Sequence, residues 1–473
     1  MTLGACSSVP DYPNKQLANG AVNVEPDSPI SGDPDAPLIL MAFSGGGSRA
    51  AALGLGVLEQ LATATYGGGK TRVSLIDRIK VVSSVSGGSV IAAWFALKGP
   101  EHLDELKGKF LSRDNMATLI WQAADPVTWT RLAFSRFTRI DALRDLLDRE
   151  LFDNKPFADA RTRPGAPFLV MNATDMESGE VFAFTPQRFD DICSDLGQLP
   201  LSVGVAASAA FPIALSPMSL RNYSYEGCKQ VPPGWINADL TLQGPRYVDL
   251  EEYKRARYAN ALRNGVNAYR NEHYLHLLDG GLADNQGIGS LREVLISSHS
   301  KAQVLDGINQ GQTKRIVVIS VNARSDSDGQ IGEHEAVPGL LSVLNTVVGT
   351  PIDSTTAYAN ASLQDLVATL KSAGASASHT RGHPLFAGLR VYDIAIDFDQ
   401  FSPEQATLQH DVKNIGTSWT LSPTQTQETV DAGKLLLRQH PCFQRLLVDL
   451  DPGTTSADPV FARRYCPFQT DAP

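Results

Sequence analysis

The stretch that decides the fold is Val81-Val82-Ser83-Ser84-Val85-Ser86-Gly87-Gly88-Ser89. An apolar strand over residues 79–83 leads into it, and a buried apolar helix over residues 89–97 follows it. A turn of this kind lifts a serine hydroxyl above the edge of a sheet, provided that small residues stand two positions before and after the serine. Gly88 stands two positions after Ser86, whereas Ser84 replaces the glycine that is usual two positions before it. The stretch therefore predicts a nucleophilic Ser86, and a glycine-rich loop with incidental serines is the alternative.

A second unit with the same order of strand, glycine turn and helix precedes this one. Residues 38–43 are apolar as in a buried strand, residues 44–49 read Ser-Gly-Gly-Gly-Ser-Arg, and residues 50–62 have the small and apolar side chains of a packed helix. Two such units in succession are typical of a parallel sheet with helices on both faces. Further apolar runs predict strands over residues 167–173, 181–185, 274–278, 315–322 and 389–397.

The glycine turn of the first unit can supply backbone donors for acyl transfer. Negative charge develops on the substrate carbonyl oxygen during that reaction, and preorganised N–H groups stabilise it. Gly45, Gly46 and Gly47 are therefore predicted to form an oxyanion hole. Arg49 offers a positive charge, either for the phosphate of a phospholipid or for holding the glycine loop. A nucleotide-phosphate loop is disfavoured because the turn has neither a G-K-[ST] ending nor the G-x-G-x-x-G spacing.

The third element is Asp279, which ends an apolar run and is followed by Gly280 and Gly281. A serine hydroxyl is a poor nucleophile until a neighbouring base takes its proton. An aspartate delivered by one strand to a glycine turn can approach the end of another strand. Standing alone, this element would be an ordinary Asp-Gly turn.

Together these elements resemble those of the patatin-like phospholipases and the related cytosolic phospholipase A catalytic domain. Residues 44–50 are similar to the family's oxyanion loop, residues 84–88 to its nucleophile elbow, and residues 279–281 to its Asp-Gly-Gly element. Two supporting blocks match as well, namely Ala173-Thr174-Asp175 with Gly179 downstream, and Ala207-Ser208-Ala209-Ala210-Phe211-Pro212. The resemblance extends from about residue 38 to residue 320 and does not explain the C-terminal part of the chain.

The resemblance implies an α/β fold of three layers, α/β/α, around a central and mainly parallel sheet. It implies a lipid acyl hydrolase that cleaves carboxylic esters of phospholipids or related acyl lipids through an acyl-Ser86 intermediate. Ser86 and Asp279 would act as a dyad, in a site desolvated enough to make the carboxylate a stronger base. A triad that uses His273 or His276 is the alternative mechanism. The alternative functions are a catalytically silent lipid-binding protein at a membrane and a soluble esterase for non-lipid esters.

The composition restricts the partners that we expect. The chain has 41 Lys and Arg residues against 51 Asp and Glu residues, a formal net charge of −10, which argues against a general nucleic-acid binder. A lipid substrate and peripheral contact with a membrane are expected instead, and the sequence makes no prediction of oligomeric state. We expect no cofactor and no metal, because the chemistry requires neither and no acidic cluster has calcium-ligand spacing.

Three segments are expected along the chain. Residues 1–37 are rich in Pro, Asp, Asn, Ser and Gly, as in a flexible tether. Residues 38–325 are predicted to form the catalytic domain, with a polar and basic insertion at about residues 221–270. Residues 326–473 are predicted to be a C-terminal extension packed on that domain. Within the catalytic domain, residues 121–139 mix aromatic and basic side chains, which suits either an interfacial helix or a core helix with a solvated face.

The cysteines bear on where the protein is located. Leu3-Gly4-Ala5-Cys6 resembles the lipobox of bacterial lipoproteins, although no apolar signal core precedes it, so either the start is truncated or the match is due to chance. The other four favour two disulfides, Cys193–Cys228 and Cys442–Cys466, with four buried thiols as the alternative. We therefore expect a protein of the bacterial cell envelope, lipid-anchored through Cys6, or otherwise a periplasmic or secreted one.

Overall fold

The computed structural model describes residues 12–25, 33–67, 72–124, 137–212, 214–226, 228, 250–263, 272–296, 310–325, 339–379, 388–452 and 457–468. The strands are β1 (Leu38–Phe43), β2 (Thr65–Tyr66), β3 (Val73–Ser74), β4 (Ile79–Val85), β5 (Phe168–Asp175), β6 (Val181–Ala183), β7 (Met218–Arg221), β8 (Tyr274–Asp279), β9 (Arg315–Asn322) and β10 (Arg390–Asp397). The α-helices are α1 (Gly47–Thr63), α2 (Gly87–Lys98), α3 (Asn115–Ala124), α4 (Arg139–Leu147), α5 (Phe157–Thr162), α6 (Pro186–Asp191), α7 (Leu201–Ser208), α8 (Leu250–Leu262), α9 (Gly281–Asp284), α10 (Ile288–Ile296), α11 (Leu340–His379), α12 (Ala406–Lys413), α13 (Pro423–Gln439), α14 (Pro441–Leu450) and α15 (Pro459–Tyr465).

The central sheet has the strand order β10-β9-β1-β4-β5-β8-β7, with β6 paired to β5. The pairs along the first part of this order, from β10 through β9, β1 and β4 to β5, are all parallel. Strands β6, β7 and β8 are joined to the sheet by antiparallel pairs. The prediction of a mainly parallel sheet is confirmed. Strand β7 had not been predicted, because its four residues are too few to show a pattern.

Helices cover both faces of the sheet, which confirms the predicted three layers. Alternate side chains point to opposite faces of a strand, and β1 is buried on both. Ile39, Met41 and Phe43 join the core that α1 and α2 cover. Leu38, Leu40 and Ala42 join a second core, to which α10 and α11 contribute. A strand buried on both faces reads as a continuous apolar run, which is why β1 was visible in the sequence.

The residues after 325 share the sheet and one helix layer with the preceding ones. Strand β10 pairs along its whole length with β9, and α13 packs on α1 in backbone contact. A Cβ atom on Gly56 would lie 2.0 Å from the Val430 carbonyl oxygen, and one on Gly433 would lie 2.4 Å from the Leu53 carbonyl oxygen. Glycine at both positions therefore allows the two helices to approach closely.

Residues 12–25, which lie within the predicted tether, pack on the catalytic domain instead of extending from it. Asn14 donates from Nδ2 to Ser194 Oγ at 3.0 Å, and Asn23 donates from Nδ2 to Asp190 Oδ1 at 2.7 Å. Leu17 is buried between these two contacts. The polar side chains that suggested a solvated tether are used for specific hydrogen bonds with the domain, whereas Cys6 lies outside the described residues.

Both cysteine pairs favoured by the sequence, Cys193–Cys228 and Cys442–Cys466, form disulfides. Of the predicted insertion at about residues 221–270, the described part consists of residues 221–226, residue 228 and residues 250–263, which include α8. Among the helices described, none combines the length and the apolar character needed to span a bilayer.

Candidate active site

Ser86 lies at the tip of the turn between β4 and α2. Its φ of 50° and ψ of −122° are unusual for a residue with a side chain, so the backbone is strained at this position. The two glycines that follow have no room for a side chain. A Cβ atom on Gly87 would lie 1.9 Å from the Gly47 carbonyl oxygen, and one on Gly88 would lie 2.6 Å from the Ser44 carbonyl oxygen. The nucleophile turn is therefore in direct contact with the backbone of the glycine loop.

Ser84, the departure from the usual glycine, takes part in buried hydrogen bonds beneath the turn. Its hydroxyl donates to the Val170 carbonyl oxygen at 3.3 Å and accepts from Ser89 Oγ at 3.1 Å. A serine is accommodated at this position because its oxygen has partners on both sides.

Asp279 reaches Ser86 from the opposite direction along the sheet. Strand β8 is antiparallel to β5, and Asp279 ends it opposite Ala173. On the other side of β5, Val85 lies opposite Asn172, so that the two strand ends meet one residue apart. The Ser86 side chain interacts with the Asp279 carboxylate, and this interaction lowers the pKa of Asp279. The structure therefore brings together the two residues that the sequence analysis had paired.

The environment of Asp279 makes its carboxylate more basic than usual. Burial raises the pKa of Asp279 from 3.8 to about 6, although the hydrogen bond from the Gly281 amide and the interaction with the Ser86 side chain oppose the shift. The Gly281 amide donates to Asp279 Oδ1 at 2.8 Å. Only 4% of Asp279 and 7% of Ser86 are exposed. A carboxylate with this pKa is mostly ionised at neutral pH and accepts a proton more readily than an exposed aspartate.

The glycine loop lies beside Ser86, and its three amides differ in whether they donate to an acceptor within the protein. A Cβ atom on Gly45 would lie 3.4 Å from Ser86 Cβ. The Gly45 amide donates to the Asn285 carbonyl oxygen at 2.9 Å and so holds the loop in place. Gly46 and Gly47 have φ values of 134° and 60°, and within the described residues their amides have no protein acceptor. Of the three predicted oxyanion donors, Gly46 and Gly47 are left for a substrate.

Arg49 is used inside the protein. It is 2% exposed, donates from Nε to the Ala323 carbonyl oxygen at 2.9 Å, and donates from Nη1 to the Ile415 carbonyl oxygen. Desolvation lowers the pKa of Arg49 to about 10. Its guanidinium group thus joins the start of α1 to the end of β9 and to the segment before α13. Of the two roles predicted for Arg49, this geometry favours holding the glycine loop over binding a phosphate.

The two histidines of the alternative triad lie away from the dyad. His276 is exposed, and its Nδ1 is 2.9 Å from Ser219 Oγ. It points to the face of β8 opposite that of Asp279, because the two residues are three positions apart in a strand. His273 is also exposed and packs against Tyr225, with ring centroids 4.5 Å apart. Six residues of strand separate it from Asp279, a distance of about 20 Å.

Two residues of the site had no predicted role. Asn285 places its side-chain oxygen 2.5 Å from a Cβ built on Gly45 and 2.8 Å from one built on Gly281, so it lies between the glycine loop and the aspartate turn. Thr174 donates to the Asp279 carbonyl oxygen at 2.8 Å and accepts from the Ala283 amide at 3.2 Å. Thr174 belongs to a block that resembles the family, but small polar residues show a role only when their partners are known.

No metal site is present in the part of the chain that the structure describes, where no three His, Cys, Asp or Glu side chains come together as ligands.

Comparisons with known proteins place this site within a family. The model of the patatin-like phospholipase family matches residues 41–292, and no curated protein sequence matches the chain. Among solved structures, human GIVD cytosolic phospholipase A2 is 10% identical, with a TM-score of 0.43 over 88% of this chain and 62% of that protein. Its complex with methyl gamma-linolenyl fluorophosphonate is also 10% identical, with a TM-score of 0.39 over 87% of this chain and 60% of that protein.

A third similar structure is the heterodimeric ExoU–SpcU complex of Pseudomonas aeruginosa, which is 12% identical, with a TM-score of 0.17 over 92% of this chain and 98% of that one. The chain thus spans about three fifths of the human phospholipase. The family model covers more than half of the chain and includes the glycine loop, all of β4, the nucleophile turn and the aspartate turn. The chain therefore belongs to the patatin-like phospholipase family, a family of serine-dependent ester hydrolases.

Proposed function

We propose that this protein is a lipid acyl hydrolase that cleaves carboxylic esters of phospholipids or related acyl lipids with a Ser86–Asp279 dyad. The observation that carries the proposal is the interaction of Ser86, held on a strained turn, with a buried Asp279 whose pKa is raised to about 6. A direct contact of this kind allows the carboxylate to take the serine proton without an intervening imidazole.

The first half of the reaction acylates Ser86. Asp279 takes the hydroxyl proton while Ser86 Oγ forms a bond to the acyl carbon of the ester. The negative charge that develops on the carbonyl oxygen is stabilised by the amides of Gly46 and Gly47. When the tetrahedral intermediate collapses, the bond to the alcohol oxygen breaks. The alcohol leaves with the proton from Asp279, and the acyl group remains on Ser86.

The second half releases the acid. Asp279 takes a proton from water, and the water oxygen forms a bond to the acyl carbon. The second tetrahedral intermediate collapses, Ser86 Oγ leaves, and it recovers the proton from Asp279. A free carboxylic acid is released and the dyad returns to its starting state. No oxidant, metal or other co-reactant is needed for the balance of these steps.

We also propose that α3 contacts a lipid surface. Met116, Ile120 and Trp121 are exposed on this helix, Trp121 by 76%. A tryptophan with aliphatic neighbours on one helix face is suited to the boundary between headgroups and acyl chains. The Met116 amide donates to Thr420 Oγ1 at 3.1 Å, and two residues earlier the Ser418 carbonyl oxygen accepts the Ser48 amide at 2.8 Å beside the glycine loop. The segment 418–420 thus connects the start of α3 with the glycine loop, which supports the proposal.

The proposed location is outside the cytoplasm. Two disulfides within one chain are favoured in an oxidising compartment such as the periplasm, and lipid attached to Cys6 would hold the protein at a membrane. A mass spectrum of the N-terminus of the native protein tests the anchor: a diacylated Cys6 as first residue supports it, and an unmodified N-terminus upstream of Cys6 refutes it.

The test of the function combines labelling with turnover. A fluorophosphonate should label the wild type at Ser86, and Ser86→Ala should lose both the label and all hydrolysis of short-chain esters and phospholipids. His276→Ala is the control variant and should keep the wild-type rate. An unlabelled wild type without turnover would identify a silent lipid-binding protein. Equal rates on monomeric and micellar substrates would instead indicate an esterase for non-lipid esters.

A further inference from the structure

The C-terminal end of α7 is hydrogen-bonded to both halves of the dyad. The Ser208 hydroxyl accepts the Ser86 amide at 2.8 Å. The Ser208 carbonyl oxygen accepts the Gly280 amide at 3.0 Å, and the Ala210 carbonyl oxygen accepts the Asp279 amide at 3.0 Å. Residues 208–210 therefore contact the nucleophile turn with one oxygen and the aspartate turn with two others.

We propose that Ser208 is a positioning residue that sets the relative placement of the nucleophile turn and the aspartate turn. This inference rests on the proposed function, since it assigns Ser208 a role in the reaction of the same dyad. Residues 207–212 matched the family in the sequence, but that match assigned no role to Ser208.

The hydroxyl of Ser208 fits this role because its orientation is determined by its surroundings. Ser208 is fully buried, and its Oγ donates to the Asn172 carbonyl oxygen at 2.6 Å and lies 2.9 Å from Ser89 Oγ. A hydroxyl has one proton and two lone pairs, so the oxygen is left to accept from the Ser86 amide. That amide is at the start of α2, where a backbone N–H has no partner within the helix and needs an acceptor from elsewhere.

Asn172 extends the connection to the strand between the two catalytic strands. It lies on β5, opposite Val85 of β4, and is next to Ala173, which lies opposite Asp279 of β8. The Asn172 side chain donates to Ser83 Oγ at 2.9 Å and to the Ser84 carbonyl oxygen at 3.0 Å. Without the Ser208 hydroxyl, the strained turn at Ser86 loses its side-chain hydrogen bond to α7, and we expect its alignment with Asp279 to be lost.

The test compares Ser208→Ala with Ser202→Ala. Both serines are on α7 and both are fully buried, but the Ser202 hydroxyl interacts with Asp148, away from the dyad. In Ser208→Ala we expect kcat to fall roughly 10- to 100-fold with KM close to that of the wild type, because a misplacement of about 1 Å has effects of this size. The second-order rate of fluorophosphonate labelling should fall by a similar factor. Ser202→Ala should keep the wild-type values of both.

The pH profile distinguishes positioning from a purely structural role. The interaction with Ser86 lowers the pKa of Asp279, so a misaligned Ser86 should move the acidic limb of kcat/KM to higher pH. Loss of folded protein would lower the amplitude of the profile and leave the limb where it is. If Ser208→Ala does not fold, Ser208→Cys keeps the side-chain volume with a much weaker acceptor and should show the same loss of kcat and the same shift.

The results separate this inference from the function on which it rests. A wild type that is neither labelled nor active refutes the proposed function. If the wild type is active and labelled, the proposed function stands. The role of Ser208 is then refuted if Ser208→Ala, or Ser208→Cys in its place, has the same kcat, labelling rate and acidic limb as Ser202→Ala.

Discussion

Replacing Asp279 by Asn should make the protein more stable while it destroys the activity. The carboxylate is buried and its pKa is raised to about 6. Ionisation of Asp279 therefore destabilises the folded state relative to the unfolded state. An asparagine has the same shape, keeps an oxygen that can accept the Gly281 amide, and carries no charge to desolvate. It cannot act as a base, so kcat should fall roughly 10²- to 10⁴-fold.

The size of the stability gain follows from the shift in pKa. A rise from 3.8 to about 6 corresponds to about 3 kcal/mol, at about 1.4 kcal/mol for each pKa unit. The folded pKa is the higher one, so the stabilising effect of protonation is complete below pH 3.8 and is lost as the pH rises through about 6. Relative to the wild type, Asp279→Asn should therefore gain up to about 3 kcal/mol at pH 8 and only about 1 kcal/mol at pH 4.5.

Urea unfolding of both proteins at these two pH values, with the disulfides intact, measures the effect. The informative quantity is the change in the stability difference between the two pH values, expected to be about 2 kcal/mol, because contributions that do not depend on pH cancel. Turnover is measured on the same samples.

A stability difference that is the same at both pH values, or that favours the wild type more at pH 8, would refute the reasoning that Asp279 is a desolvated base. Substantial hydrolysis by Asp279→Asn would contradict the dyad and favour the alternative triad with His273 or His276.

Three further predictions concern the same site. The kcat/KM of the wild type should decline below pH about 6 as Asp279 becomes protonated, which a pH–rate profile on an uncharged ester measures; a limb near pH 4 would contradict the raised pKa. Gly47→Ala should lower kcat by roughly 10²- to 10³-fold, because its Cβ would lie 2.3 Å from the Ser418 carbonyl oxygen at a φ of 60°. Gly20→Ala is the control for backbone strain alone, since Gly20 has a φ of 76° and a Cβ there would have no atom within 4 Å. Arg49→Lys should lose activity equally on a phospholipid and on an uncharged ester, because an ammonium group cannot replace a planar guanidinium between two carbonyls; a loss confined to the phospholipid would show that Arg49 binds the phosphate.

Much of the parallel part of the fold could be predicted from local patterns. Strand β9 was predicted with the bounds that the structure has, and β1 and β4 were predicted close to theirs. These strands are buried on both faces and stop at glycine or serine turns, so that composition alone marks them. The short β7 and the antiparallel direction of β8 were not predictable in this way, because strand direction depends on which neighbour a strand pairs with.

The candidate site was predictable to a similar degree. Ser86 and Asp279 could be paired because each is delivered to a glycine turn by an apolar run. The sequence could not predict which glycine amides are bonded within the protein, because the Gly45 amide donates to the carbonyl oxygen of the distant Asn285. The role of Arg49 depended in the same way on two carbonyl oxygens far along the chain, those of Ala323 and Ile415.

The sequence by itself therefore indicated which residues are candidates for the chemistry, and it determined which type of layered fold presents them. Those properties are local, since a strained serine turn and a glycine loop need particular residues at adjacent positions. The tertiary structure decided how the residues are used. It placed Asp279 at the end of an antiparallel strand, buried it enough to raise its pKa, and brought Ser208 between the two turns. Burial and hydrogen bonding between segments more than 100 residues apart arise only when the chain is folded, so no local pattern specifies them.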